Sequence, residues 1–292
     1  MKINLRFTFL LIGSFLIQAA TAQSLFHADN RRAALNYEFL RPAIDFNTFL
    51  DLNDSASEIN SGLFSTAHFV NVHLRINRTT MFVGELPIGH AKFSAEGSNE
   101  DFSETKVGNP YVGLQLGGIR QPTLVEFGAR IPIIDEVEVG HAIGLFSDII
   151  DRFEAFAPNA FPLRVMINTR LKNRRNGGFL HIGSGATAFI DLAGEDEQSV
   201  GEGTQFHLIN GVTAGIENKR TKVGISYNSR WFITQDKNDP SNQFFHLVGA
   251  QLQLNYPTIS PFIGIRKPLN EDYSDFVNTI FSLGFRLTQS RR

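Results

Sequence analysis

The chain has 292 residues, of which 42% are hydrophobic and 19% charged, and its formal net charge is −2. This composition excludes intrinsic disorder, which needs low hydrophobicity and high net charge, and the near-neutral balance gives no electrostatic basis for binding nucleic acid. Cysteine is absent, which excludes disulfides, thiolate metal sites and a cysteine nucleophile. After residue 20 no apolar run approaches the ~20 residues that a membrane-spanning helix needs.

The first 22 residues have the features of a secretory signal peptide. Lys2 and Arg6 give a positive start, residues 7–17 are apolar, and small residues at 20–22 precede the expected cleavage point. We therefore expect export of the chain, with a periplasmic segment over residues 23–39 at the start of the mature protein.

From residue 40 onward, apolar and polar residues alternate with period two. Val70, Val72 and Leu74, for example, interleave with Asn71 and His73. This period predicts strands that have one apolar and one polar face. About twelve strands are predicted, over residues 40–52, 67–77, 79–93, 105–117, 123–134, 162–173, 178–192, 205–217, 221–235, 244–255, 258–269 and 277–288.

The length of these segments separates two all-β folds. They reach about ten to fifteen residues, the length of a tilted membrane-spanning strand, whereas the strands of a soluble β-sandwich usually have about five or six. Short and long connections also alternate along the chain, as in outer-membrane barrels. The sequence therefore predicts a transmembrane antiparallel β-barrel of about 12 strands over residues 40–288, with a tail at 289–292, and leaves a secreted β-sandwich as the alternative fold.

The requirement for an even number of strands identifies the first strand. An even number returns both termini to the periplasm, and residues 40–52 supply the strand that completes this number. If its apolar residues face lipid like those of the other strands, Pro42, Ile44, Phe46 and Leu50 point outward and Asp45 points into the lumen.

Two short motifs resemble those of known outer-membrane proteins. Residues 107–114, Val-Gly-Asn-Pro-Tyr-Val-Gly-Leu, resemble the Gly-Asp-x-x-x-Gly-Leu strand opening of barrels grouped with the phenol meta-pathway and fatty-acid transporters, with Asn109 in place of the Asp. The last predicted strand resembles the signal of the barrel-assembly machinery, with Ser282, Gly284 and Leu287 at the expected spacing.

The class as a whole resembles small transporter-type barrels of Bacteroidota-like bacteria, in which Gln23 is a typical first residue after cleavage. This resemblance covers nearly the whole expected mature chain. It implies residence in the Gram-negative outer membrane, contact with outer-membrane lipids, the assembly machinery as a partner during biogenesis, and a transport function.

The residues that alternate with the apolar ones are expected to line the lumen. The acidic candidates are Asp45, Glu85, Glu126 and Glu217. The basic candidates are Arg75, Arg130, Arg164, Arg170, Lys172, Lys222, Arg230, Arg266 and Arg286. An excess of positive charge would attract anions into a pore. The alternative is that Arg–Glu pairs and water fill the interior of a closed barrel.

Residues 140–157 depart from period two. Their apolar residues recur at intervals of three and four, charged residues lie between them, and Pro158 follows, which predicts an amphipathic helix in the longest outer loop. Its apolar face needs cover from the barrel rim, the lipid interface or a ligand, so the helix either packs on the rim or acts as a lid at the outer mouth. The candidate gate residues are Ile143, Phe146, Ile150, Phe153 and Phe156.

Signals for catalysis are absent from the sequence. The eight histidines show no His-x-x-x-His or His-Glu-x-x-His spacing, so no metal and no cofactor are expected. No nucleophile motif surrounds Ser241 or His246, and we expect no catalytic residues and no enzymatic activity. Two functions remain: a passive or gated transporter for small solutes, hydrophobic or anionic, and a non-transporting structural or interaction barrel with a filled lumen.

Overall fold

The computed structural model describes residues 33–44, 59–60, 65–95, 101–117, 121–173, 177–194, 203–234 and 243–288. The expected signal peptide, residues 45–52 of the first predicted strand and the tail at 289–292 lie outside the described residues.

Strands dominate the described chain. They are β1 Ala34–Ile44, β2 Ile59–Asn60, β3 Thr66–Arg75, β4 Thr80–Ala95, β5 Asp101–Val107, β6 Tyr111–Leu116, β7 Thr123–Arg130, β8 Ala160–Lys172, β9 Gly178–Asp191, β10 Gln205–Glu217, β11 Thr221–Phe232, β12 Phe244–Leu254, β13 Ile259–Pro268 and β14 Val277–Thr288. The helices are α1 Val139–Ser147, α2 Ile149–Arg152, which a 3-10 turn at Phe153–Ala155 follows, and α3 Glu271–Phe276. None of the described helices is long and apolar enough to cross a membrane.

The strands close into a barrel. Each strand from β6 to β14 pairs with the next, β14 pairs with β1, β1 with β3, and β3 with β4. The first half of β4 then pairs with β6 and its second half with β5, so that β5 and β6 form one strand interrupted at residues 108–110. The result is a closed antiparallel barrel of twelve strands, with β2 as a short addition to β4, and it confirms the predicted fold.

The two ends of the barrel differ. Strands β3, β6, β8, β10 and β12 are each followed by a short connection. Their last residues lie at the same end of the barrel as the paired residues Ala34 and Thr288, and we name this the short-turn end. Asparagine forms two of these turns: the Asn77 Oδ1 accepts hydrogen bonds from the Thr79 and Thr80 amides, and Asn218 does the same for residues 220 and 221. In outer-membrane barrels the short turns face the periplasm. The opposite end is named the long-loop end.

The first strand differs from its prediction. It begins at Ala34 instead of residue 40, and its orientation is reversed: Leu40 and Pro42 are buried on the same inward face as Glu38. The reversal arises because the lumen is apolar near the long-loop end of this strand, where Leu40 belongs to an internal hydrophobic cluster. The expected start of the barrel at residue 40 is therefore too late.

Strand β14 follows the predicted alternation. Phe281 and Leu283 are 50% and 55% exposed on the outer surface, whereas Ser282 between them is 3% exposed and faces the lumen. A shift of one residue would exchange the two faces, so the register of this strand is fixed by its apolar side.

We expect Leu283→Arg to destabilise the barrel by about 2–4 kcal/mol, because a charge on the lipid face near mid-bilayer costs that much. The measurement is the unfolding free energy in lipid vesicles, with Ser282→Thr as the lumen-facing control. Tolerance of the arginine together with loss of stability in the control would mean that the faces are reversed.

Candidate functional site

The connection between β7 and β8 folds back into the barrel. Its helices α1 and α2 and the 3-10 turn confirm the predicted helical character, with a break at Asp148, where the backbone is not helical. The Glu104 carboxylate accepts a hydrogen bond of 2.8 Å from the Gly140 amide at the start of α1, where the helix dipole favours negative charge. Residues 139–157 are named the plug.

The plug lies inside the barrel wall. Ile150 and Phe156 are fully buried and belong to one cluster with Leu40 of β1, Ile209 of β10 and Leu247 of β12. Other residues of this cluster are Ala67, Phe69, Ile134, Ile149, Ala155, Tyr273, Val277 and Ile280. Only a segment within the lumen can contact inward-facing side chains from strands all around the barrel. The helical segment therefore belongs to the expected long connection, but the inside of the barrel wall covers its apolar face, and the expected cover by the rim or the lipid is wrong.

The five candidate gate residues are all on the plug, at different depths of burial. Ile143 packs on Ala91 of β4, and Phe146 is partly buried, with its ring 6.3 Å from that of Phe276. Phe153 stands among the rings of Phe189, His207 and Phe232, at centroid distances of 5.5–5.8 Å. The remaining two, Ile150 and Phe156, form the buried centre described above.

One plug carboxylate joins two strands of the wall. Glu154 accepts hydrogen bonds from Arg164 Nη1 of β8 at 2.8 Å and from Arg230 Nη2 of β11 at 2.6 Å. Arg164 also donates to the Asp151 carbonyl oxygen, and Arg230 to that of Ile149. All of these groups are buried, so each charge depends on its partners for compensation.

A second group of ion pairs joins the plug to β1, β4 and β13, and here the plug also contributes a basic side chain. Arg152 donates to Glu38 of β1 at 2.5 Å, and its Nε lies 3.3 Å from Glu85 of β4. Arg266 of β13 bridges wall and plug, with 2.8 Å to Glu38 and 3.1 Å to Asp148. Arg152 of the plug thus faces acidic wall groups, and the negative plug groups face basic ones. This complementarity explains why the segment enters the lumen.

Two plug carboxyls have opposite pKa directions; both belong to the β7–β8 connection, outside the membrane-spanning strands. Burial would raise the pKa of Glu154, but the guanidinium groups of Arg230 and Arg164 outweigh it and hold this pKa below its ordinary value. Burial and the neighbouring Asp148 carboxylate raise the pKa of Asp151 well above its ordinary value. Among the described residues neither carboxylate oxygen of Asp151 has a hydrogen-bond partner, and Arg266 Nη1 lies 3.6 Å away.

The raised pKa of Asp151 predicts a pH-dependent plug. The folded protein binds this proton more tightly than the unfolded chain, whose Asp pKa is about 3.9, so ionisation of Asp151 lowers stability as the pH rises from about 4 towards the raised pKa. We expect Asp151→Asn to be more stable than the wild type at neutral pH, and the difference to disappear near pH ~4. The measurement is the urea midpoint in detergent as a function of pH; a constant difference would contradict the assignment. The groups that face Asp151 are Asp148, Arg152, Arg164 and Arg266.

Asn109 fixes the plug to the interruption between β5 and β6. Its Nδ2 donates to the carbonyl oxygens of Ala157 at 2.7 Å and Glu154 at 3.3 Å, and its Oδ1 accepts from the amides of Ile133 and Ile134. At the preceding residue, Gly108, a Cβ would lie 2.3 Å from the Ala155 carbonyl oxygen, so only glycine allows this approach. The Asn109 side chain both donates and accepts hydrogen bonds, whereas the carboxylate of an Asp at this position could only accept them.

We expect Asn109→Asp to lower the unfolding free energy by about 1–3 kcal/mol, the cost of leaving buried groups without hydrogen bonds. Asn159→Asp is the matched control, because its side chain also donates to a carbonyl oxygen, that of Asp135, but at an exposed position. The urea midpoints of both variants measure the effect. Equal losses would show that Asn109 has no special role.

Below the plug, towards the short-turn end, the lumen is lined by polar side chains. Asn71, His73, Gln115, Asn168 and Gln251 are buried, and each has at least one side-chain atom that no described group hydrogen-bonds. Buried polar groups without protein partners normally bond to water. This part of the lumen therefore has the chemistry of a hydrated chamber.

The remaining lumen candidates divide by position. Arg130 pairs with Glu85 at 2.6 Å, and Glu126 accepts a hydrogen bond of 2.9 Å from the Tyr111 hydroxyl. Towards the short turns, Glu217 pairs with Arg170 and with Lys172, while Lys222 lies over the Phe179 ring at 4.9 Å. Arg286 donates to Asn36 at 3.1 Å. Arg75 is exposed and donates to carbonyl oxygens of the 76–79 turn; Asp45 lies outside the described residues.

The expected excess of positive charge holds for only part of the lumen. Sequence reasoning missed the acidic groups Glu38, Asp148, Asp151 and Glu154, which lie close to Arg164, Arg230 and Arg266. It also missed Arg152, which pairs with Glu38 and Glu85. The sequence did contain an indication of these acidic groups. The nine basic wall candidates outnumber the four acidic ones, and the plug sequence carries three further acidic residues that can balance this excess of positive charge. Among the described residues, no group of three or more His, Asp or Glu side chains could hold a metal ion.

Comparisons with known proteins bear on the fold. No protein-family model and no curated protein matches the chain. LpxR from Salmonella typhimurium is similar in structure, with a TM-score of 0.50 and 9% identity over 88% of this chain and 100% of that chain. The translocator domain of the autotransporter NalP from Neisseria meningitidis gives 0.41 and 8% identity, over 88% and 87% of the two chains. At such identities the likeness shows the fold alone.

The expectation that the protein is not an enzyme is wrong as an inference from this fold. Outer-membrane barrels of the same fold include enzymes, LpxR among them. A barrel architecture without a familiar nucleophile motif therefore does not exclude catalysis. What the closed strand order and the structural likeness establish together is the fold, a closed antiparallel β-barrel of the outer-membrane type.

Proposed function

We propose that the protein is a gated channel for small solutes and that the plug is its gate. The observation that carries this proposal is the mode of attachment: the plug is held in the lumen by side-chain contacts, which are ion pairs, the Asn109 amide and apolar packing, while the strands form their ladder without it. A segment held in this way can leave or shift within the lumen while the barrel stays closed.

The chemistry of the lumen supports transport of polar solutes. The chamber below the plug is lined by Asn, Gln and His side chains with unpartnered atoms, and such a surface favours water over packed apolar groups. Removing or shifting the plug would connect this chamber with the long-loop end.

A structural or interaction barrel with a permanently filled lumen is the second candidate. The complete burial of the apolar plug residues Ile150 and Phe156 favours it, because both would be exposed to water if the plug moved away as a unit. In this case the plug would act as the hydrophobic core of the barrel, with Ile150 and Phe156 at its centre.

Conductance in planar lipid bilayers separates the two candidates. We expect discrete openings of the refolded wild-type protein, more frequent at neutral than at acid pH. Burial raises the pKa of Asp151 in the closed state, so this group loses its proton more readily when the plug moves and water reaches it. A barrel that is correctly folded, as judged by its heat-modifiable mobility on a gel, and never conducts at any pH would contradict the channel proposal.

The partners follow from the outer surface. Exposed apolar residues such as Leu163, Ile225 and Leu283 are suited to contact with lipid. We propose that the barrel-assembly machinery reads β14, whose last residues pair with β1 to close the barrel.

A further inference from the structure

A cavity of about 600 Å³ opens at the short-turn end, away from the plug. Four basic side chains line it, those of Lys172, Lys219, Lys222 and Arg286, against the single carboxylate of Glu217. Ser260 adds a hydroxyl group to the lining. Cavities of about 300–1,000 Å³ are the usual size for small-molecule sites.

The strand register explains how these charges meet. Glu217 and Lys222 are opposite each other on β10 and β11, and Ser260 is opposite Arg286 on β13 and β14. The cavity thus lies against side chains from adjacent strands of the barrel. Lys172, Lys222 and Arg286 are held by strands of the barrel wall, and Lys219 lies in the turn between β10 and β11.

The single carboxylate is already engaged. Glu217 bonds to Arg170 and, at 2.8 Å, to Lys172. The Arg286 guanidinium uses its Nε for Asn36, whereas its Nη2 is buried and has no hydrogen-bond partner among the described residues. A buried, charged donor without an acceptor is costly, and an anion in the cavity would remove that cost.

We propose that this cavity binds a small organic phosphate. A phosphoryl group offers several acceptor oxygens with charge near −2, which matches a cluster of lysines and an arginine better than one carboxylate does. The volume leaves room for an organic part beyond the phosphoryl group. The amide and hydroxyl groups in the lining, including Ser260 and Gln253, can hydrogen-bond a polar one.

This inference names the solute class of the proposed channel, and it rests on the proposed function only for the claim that the bound anion passes through. Binding is measured without conduction. A protein that binds phosphate but never conducts would keep the site and overturn the channel, whereas one that conducts without saturable phosphate binding would overturn the site alone.

The test is isothermal titration of the refolded barrel, in phosphate-free and phospholipid-free detergent, with glucose 6-phosphate and with inorganic phosphate as probes. We expect saturable binding of both probes. Glucose, titrated in place of glucose 6-phosphate, should show no binding. Dihexanoyl phosphatidylglycerol forms a third arm: binding of this lipid alone would mean that a headgroup, and not a soluble phosphate, is the occupant, and would overturn the proposal.

Three variants assign the binding to the cavity. Lys222→Gln with Arg286→Gln should weaken phosphate binding about tenfold or more, as expected for the loss of two charge-assisted contacts. Arg78→Gln is the matched control, since it removes a positive charge at an exposed position of the same end and should leave affinity unchanged. Glu217→Gln should tighten binding about threefold or more, because a repulsive charge is removed. Misfolding cannot mimic this gain, so its absence, or an equal loss in the control, would overturn the site.

Discussion

Deletion of residues 141–157, with a Gly/Ser linker across the gap, is expected to give a folded barrel with a large and permanent conductance. The strand ladder does not pass through the plug, and loops tolerate such changes better than strands. The deletion removes Asp148, Asp151 and Glu154 but only one basic group, Arg152. The wall then keeps Arg164 and Arg230 without the carboxylate of Glu154, and Arg266 keeps only Glu38. The deletion raises the net charge of the lumen, so the open pore should prefer anions.

Single-channel recording and reversal potentials in a salt gradient measure both effects, and heat-modifiable gel mobility establishes that the deleted protein is folded. Unaltered conductance in a folded barrel would mean that the plug does not close the pore. Failure to assemble would mean that the plug is the core of the barrel, and the structural candidate would then be the better one.

Glu154→Gln is expected to lower the unfolding free energy by about 3–5 kcal/mol, the cost of removing one partner from a buried ion pair. The substitution keeps the size of the side chain but leaves Arg164 and Arg230 without their carboxylate. Because those two arginines are on different strands of the wall, the same change should also loosen the plug and raise the frequency of channel opening.

Glu138→Gln is the matched control for this experiment. Glu138 precedes α1 and pairs with Lys106, but both side chains are substantially exposed, so the urea midpoint should stay nearly unchanged. If Glu154→Gln and Glu138→Gln gave similar midpoints, the buried charge pairs would not hold the plug. Glu154→Asp, which keeps the charge, should recover part of the stability.

Much of the fold is visible in local patterns. Period-two alternation identified β14 with its lipid-facing Phe281 and Leu283, because each strand of a barrel meets lipid on one side and the lumen on the other. The change to intervals of three and four identified the helices of the plug. In β1 the period-two alternation predicted the wrong orientation of the strand, because the lumen beside Leu40 and Pro42 is apolar and apolar residues there face inward.

The sequence by itself determined the strands, their even number, the helical segment and the charges available to the site, because these follow from side-chain period and composition along a continuous stretch. Only the tertiary structure decided that the plug lies within the lumen and which charges compensate which. Arg152 and Glu38 are 114 residues apart in sequence, and Arg266 and Glu38 are 228 apart. No local pattern encodes such pairs. They form because closing the barrel places the plug and the inner faces of distant strands around one buried space, where each buried charge must find a partner.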